Sequence, residues 1–146
     1  VLDAELEAAF PNLAQSGYRV TSPATRRYNC IAWAAHDEMN WWWPVPGAYW
    51  PPQVLQTETV EAFIEAYQTL GYELCDSDQW EDGFEKIAIY ADAEGNPTHA
   101  ARQLPSGQWT SKIGRGIDIE HDTLDGLSGI LYGTPIRFLK RPLQAA

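Results

Sequence analysis

Three extended segments separated by two turn signals do most to limit what this chain can fold into. Lys86-Ile87-Ala88-Ile89-Tyr90-Ala91 is rich in β-forming residues, and Asp92-Ala93-Glu94-Gly95-Asn96-Pro97 is a turn leading into residues 98–104. Pro105-Ser106-Gly107 is a second turn, opening onto residues 108–113. Strands this close in sequence, joined this tightly, predict an antiparallel meander. Residues 72–75 predict a short strand ahead of it, residues 135–139 a final one, and residues 18–20 an extended piece closed by Ser22-Pro23. Residues 117–129 read as loop plus a short helix.

The first half reads as helical. Residues 1–10 place Leu2, Leu6, Ala9 and Phe10 on one face and stop at Pro11. Asn29 suits an N-cap, because its side chain accepts from an orphan backbone N–H. That puts Cys30 first in a helix expected to run to about Met39. Thr57 is a second N-cap candidate; Val60, Phe63, Ile64, Tyr67 and Leu70 follow at helical spacing, with Gly71 as the stop. Helices first and an antiparallel sheet after predict an α+β fold in a single domain over residues 1–146. A chain of 146 residues with 45% apolar content can bury one core without staples.

A formal net charge of -10 argues against a nucleic-acid partner, since phosphate binding needs clustered cations. Arg26, Arg27, Lys86, Arg102, Lys112, Arg115, Arg137, Lys140 and Arg141 are scattered. Two cysteines, Cys30 and Cys75, are too few for a disulfide framework or a zinc site, so a reducing cytoplasmic setting is expected. No apolar run approaches the roughly 20 residues of a membrane span. The chain starts at Val1, which leaves the question of a leader open. The three histidines show no metal-ligand spacing, and neither metal nor cofactor is expected.

Cys30 and His99 are the residues with chemistry to offer. A thiol at a helix start meets unpaired N–H groups that favour thiolate, and an imidazole on a strand can take its proton. The bland alternative for Cys30 is a small buried core residue. Strand parity sets His99, Ala101 and Gln103 on one face and Thr98, Ala100 and Arg102 on the other. The small alanines leave room over His99 for the Cys30 helix or for a substrate. His36 lies about 240° round the helix from Cys30 and points elsewhere. His121 falls in an acidic loop and reads as solvated. To orient the imidazole, Asp118 is the chemically strongest candidate and Ser111 the best placed in register, with Gln103 on the same face as His99.

Five of the seven tryptophans fall between Trp33 and Trp50. The prolines of residues 40–52 forbid a regular helix or central strand there. Trp41, Trp42, Trp43, Tyr49 and Trp50 therefore either seal the core or wall a cleft that binds an extended peptide or a sugar face.

These motifs resemble an uncharacterised group of small bacterial proteins. The resemblance spans most of residues 28–140, through Asn-Cys-Ile-Ala-Trp-Ala-Ala, Trp-Trp-Trp-Pro, Gly-Phe-Glu-Lys-Ile-Ala-Ile-Tyr, Thr-His-Ala-Ala-Arg-Gln-Leu and Trp-Thr-Ser-Lys-Ile-Gly. More distantly, a helix-borne Cys followed by a strand-borne His resembles papain-like cysteine hydrolases of the NlpC/P60 and CHAP type. That resemblance implies a papain-like domain with N-terminal helices packed on an antiparallel sheet. It implies Cys30 as nucleophile, His99 as base and a polar orienter on or after the next strand. Asn29 would cap the helix or supply an oxyanion donor. In that branch the histidine opens the first long strand, whereas here it falls on the second of the meander; Ala24 and Thr25 stand where papain carries its oxyanion-hole glutamine. The expected activity is hydrolysis or acyl transfer at an amide bond of a peptide or similar substrate. The alternative is a non-catalytic acidic protein, immunity- or antitoxin-like, meeting a basic partner through the acidic residues 76–82 and 118–122.

Overall fold

The computed structural model describes residues 2–113 and 116–143. Val1, Arg115 and the last three residues, counted above in the first helix, the basic set and the domain, lie outside them. The chain runs α1 (Leu2–Ala9), α2 (Leu13–Ser16), β1 (Tyr18–Ser22), α3 (Cys30–Ala34), α4 (Val60–Gln68), β2 (Glu73–Cys75), β3 (Phe84–Ala91), β4 (Pro97–Gln103), β5 (Trp109–Lys112), β6 (Asp118–His121), a 3₁₀ turn (Leu124–Leu127) and β7 (Thr134–Pro142). All seven strands form one antiparallel sheet in the order β1-β6-β5-β4-β3-β7-β2.

The expected meander is present and longer by one strand. Asp118–His121 is β6, where loop was expected. Ile117, Ile119 and His121 alternate with Asp118 and Glu120, a period of two that marks a strand, and all three are buried. β7 then returns to the far side of β3, pairing Ile87 with Leu139 and Ala88 with Phe138.

Side-chain alternation on β3 splits the core in two. Ile87, Ile89, Ala100 and Leu139 face α3, α4 and the tryptophan loop. Ala88, Tyr90, Ala101, Trp109 and Ile119 face α1, α2 and the 3₁₀ turn through Leu6, Phe10, Leu13 and Leu127. Helical segments therefore cover both faces of the sheet.

α4 is built as its spacing predicts, with Phe63 and Tyr67 fully buried, but its cap is Thr59 rather than Thr57. The Thr59 side chain accepts from Ala62 N at 3.2 Å. α3 is much shorter than expected. It ends in a Schellman closure: Asp37 N donates to Ala32 O (2.9 Å), His36 N donates to Trp33 O (3.0 Å), and His36 takes φ +65°. Asp37 then gathers Met39 N, Asn40 N and Trp42 Nε1 at 2.8–3.1 Å, turning the chain into the tryptophan loop.

Candidate active site

Asn29 anchors the site. Its Oδ1 accepts from Ala32 N (3.1 Å) and Trp42 N (3.2 Å), and its Nδ2 donates to Trp42 O (2.7 Å). One buried carboxamide thus caps α3 and clamps the tryptophan loop beside it. Cys30 follows at the first helical position, 7% exposed, and lines a cleft of about 320 Å³ with Asn29, Trp41, Trp43, Thr98 and Tyr132. Cys30, though buried, thus borders a cleft.

The electrostatics correct one expectation. Burial dominates the thiol and pushes it up to about 11, although N–H groups of Ala100, Ile31 and Cys30 itself, and the charge of Lys112, pull the other way. A helix of five residues contributes little macrodipole against that desolvation. Cys30 rests as a thiol.

Cys30 shares a core cluster with Ala100 of β4. The β4–β5 ladder pairs Arg102 with Thr110 and Gln103 with Trp109. The Ala100 N–H, two residues before that ladder, pulls against the burial of the Cys30 thiol, and α3 packs against β4. α3 lies on the Ala100 face, not over His99 as expected, because Ala100 belongs to its core cluster. His99 points to the other face, edge-on to Tyr90 (5.2 Å) and stacked on Tyr132 (4.2 Å between centroids, 9° between planes).

His99 is fully buried, and its Nε2 lies 2.9 Å from Ser111 Oγ. Ser111 Oγ lies 2.8 Å from His121 Nε2, and His121 Nδ1 lies 2.8 Å from Thr123 O. The chain of bonds fixes every proton. Thr123 O only accepts, so His121 Nδ1 carries its hydrogen. Burial lowers His121 to about 4, so the ring is neutral and Nε2 accepts from the Ser111 hydroxyl. Ser111 Oγ then accepts from His99 Nε2–H. Burial, with the neighbouring His121 adding to it, holds His99 well below its ordinary value, which leaves Nδ1 a bare lone pair. That atom has no hydrogen-bond partner among the described residues. Tyr132 is held over the ring by Thr98 Oγ1, which donates to Tyr132 O at 2.5 Å. Gly133 fixes the same loop: its φ is +73°, and a Cβ there would stand 1.9 Å from Ala91 O.

Of the candidate orienters, Ser111 meets the imidazole. Asp118 does not: it sits on β6 with its Oδ2 accepting from Tyr28 OH at 2.6 Å, on the α3 side of the sheet. Gln103 donates to Asp78 O and Gly107 O, both at 3.4 Å, and not toward His99. His121 is fully buried, not solvated, and Asp118 with it, so residues 118–122 are not the exposed acidic loop expected. In residues 76–82, Glu81 pairs with Lys86 and Lys140. His36 does point away from the site, to Glu85 at 3.0 Å.

The aromatic loop divides. Trp42 and Trp50 are core, Trp42 stacking on Tyr67 at 6.5 Å and Trp50 tilted on Phe63 at 5.2 Å. Tyr49 is exposed against Trp42. Trp41 and Trp43 line the Cys30 cleft. His121, Thr98 and Tyr132 were missed by sequence reasoning; only His121 left a signal, in the alternation of residues 117–121.

The chain is thus a mixed α/β protein built on one seven-stranded antiparallel sheet with short helices. It belongs to the family described as Domain of unknown function (DUF7689), whose model matches residues 19–140. No curated protein and no solved structure matches it. Among the described residues, no helix is long and apolar enough to cross a membrane, and no cluster of His, Cys, Asp or Glu could hold a metal ion.

Proposed function

We propose that the chain is a thiol hydrolase or acyl transferase of papain-like type, acting on an amide bond. The observation that carries this reading is the bare His99 Nδ1, left unprotonated by the Ser111–His121 relay, under a Tyr132 ring that lines the same cleft as Cys30. With both groups neutral at rest, the reaction starts by general base catalysis rather than from an ion pair. As Cys30 Sγ attacks the carbonyl carbon, its proton passes to His99 Nδ1 and the carbonyl π pair moves onto oxygen. Backbone N–H groups at the start of α3 serve as donors to that oxyanion. Collapse breaks the C–N bond, the amine leaves with the proton from His99, and an acyl thioester remains on Cys30. Water or a second amine, deprotonated by the same Nδ1, releases the acyl group. Ser111 and His121 keep Nε2–H engaged throughout and so hold the tautomer.

The test is acylation by p-nitrophenyl acetate followed by intact and peptide mass spectrometry. An acetyl adduct should form on Cys30, vanish in Cys30→Ala, and form about 10²-fold more slowly in His99→Gln. Equal rates in His99→Gln, or acylation of Cys75 instead, ends the reading.

A further inference from the structure

The base that the thiol chemistry needs is shut away. His99 is fully buried, and the Cys30 cleft is lined by Thr98 and Tyr132 but not by His99 itself. Tyr132 joins the two: it borders the cleft, is half-buried, and lies flat on the imidazole with centroids 4.2 Å apart. We propose that residues 129–133 form a lid with Tyr132 as its plug, closing His99 off from the Cys30 cleft at rest and swinging clear to let Nδ1 meet the thiol. The proposal rests on the thiol hydrolase reading and names the regulation of its site.

The loop is built to move as a unit. Its ends close on each other, Gly129 N donating to Gly133 O (2.9 Å) and Gly133 N to Gly129 O (2.8 Å). Gly129, at φ +151° with nothing within 4 Å of a Cβ, has room to turn, while Gly133 is pinned against Ala91 O. The tip buries little: Ile130 is 99% exposed and Leu131 55%. Segments with so little buried surface open locally well before the fold does. Closure is held by the stack on His99, by Phe10, tilted against Tyr132 at 5.0 Å, and by Thr98 Oγ1, which donates to Tyr132 O. Thr98 is thus a latch, and its hydroxyl can be removed without altering the ring, the imidazole or the thiol.

Diethyl pyrocarbonate, which carbethoxylates a neutral imidazole nitrogen, reads the lid without relying on catalysis. His99 should react slowly in the wild type, about fivefold faster in Thr98→Val, which takes one hydrogen bond from the closed state, and faster still in Tyr132→Ala. His121, equally buried and with both ring nitrogens bonded, should stay protected in all three proteins, which separates lid opening from unfolding. Acylation of Cys30 by p-nitrophenyl acetate should rise in step, and adding His99→Gln should cancel the gain. Carbethoxylation of His99 and His121 at one common rate overturns the lid. Equal Cys30 acylation in the wild type, Thr98→Val and Tyr132→Ala also overturns it and spares the enzyme. Faster carbethoxylation of His99 with no Cys30 adduct in any of the proteins removes the enzymatic reading and leaves a lid over a bare imidazole.

Discussion

Ser111 Oγ lies 2.9 Å from His99 Nε2 and uses its own proton on His121, so one hydroxyl decides which nitrogen of His99 is free. Ser111→Ala removes that decision and strands two buried ring nitrogens. The loss of stability in urea should be about 1–3 kcal/mol. Acylation of Cys30 should slow well beyond what that destabilisation explains, and Ser111→Thr should recover part of it. Unchanged acylation with lowered stability would make the relay purely structural.

Stability should fall between pH 7 and pH 4. His121 has a folded value of about 4 against an ordinary 6.5, so over that interval the unfolded chain binds more protons. The contribution is complete above pH 6.5 and disappears as pH drops to about 4, amounting to about 3 kcal/mol for this ring. His99, buried alongside, acts with the same sign. At Glu85 burial works to raise the carboxyl, but hydrogen bonds from His36 and Tyr72 and the charges of His36 and Arg141 outweigh it and hold it at about 2. Its share is lost only on further acidification, below the unfolded carboxylate range. Urea midpoints at pH 7.5, 6, 5 and 4.5 check this; a flat profile from pH 7 to 5 contradicts burial of the imidazoles.

Alkylation of Cys30 should follow its desolvation. With the thiol pushed up to about 11, iodoacetamide at pH 7 should modify Cys30 at least about tenfold more slowly than the half-buried Cys75. The Cys30 rate should still be climbing above pH 9. A plateau below pH 8 for Cys30 would show that the N–H groups around the sulfur outweigh burial.

Gly133→Ala should disrupt the loop that carries Tyr132. The position combines φ +73° with a Cβ 1.9 Å from Ala91 O, a contact that backbone cannot yield cheaply. The expected result is a loss of more than about 3 kcal/mol or failure to fold, read by urea titration. Gly95→Ala, also at positive φ but with open space around it, should cost only about 1–2 kcal/mol.

Phe63→Ala should cost about 3–5 kcal/mol, because the ring is fully buried between Trp43 and Trp50 against the sheet. A loss under about 1 kcal/mol in denaturant titration would mean that the aromatic loop collapses to refill the space.

The sequence by itself determined the parts set by local periodicity and punctuation. The helical stripe of Val60, Phe63 and Tyr67, the β3–β4–β5 meander between its Gly and Pro turns, and the Asn29 cap on Cys30 each follow from spacing within a dozen residues. It also narrowed the orienter of His99 to a short set containing Ser111, because parity along adjacent strands is a local property. Only the tertiary structure decided what burial does to those groups. Asp118, Glu120 and Asp122 make His121 read as solvent-facing until β1 pairs with β6 and closes His121 into the core. The Cys30 thiol, acidic by its place at a helix start, is made resistant to ionisation by the core around it. Tyr132 joins His99 from beyond the 3₁₀ turn, through a contact that no spacing in the chain encodes. Dielectric and long-range contact are properties of the packed molecule, and a linear pattern carries neither.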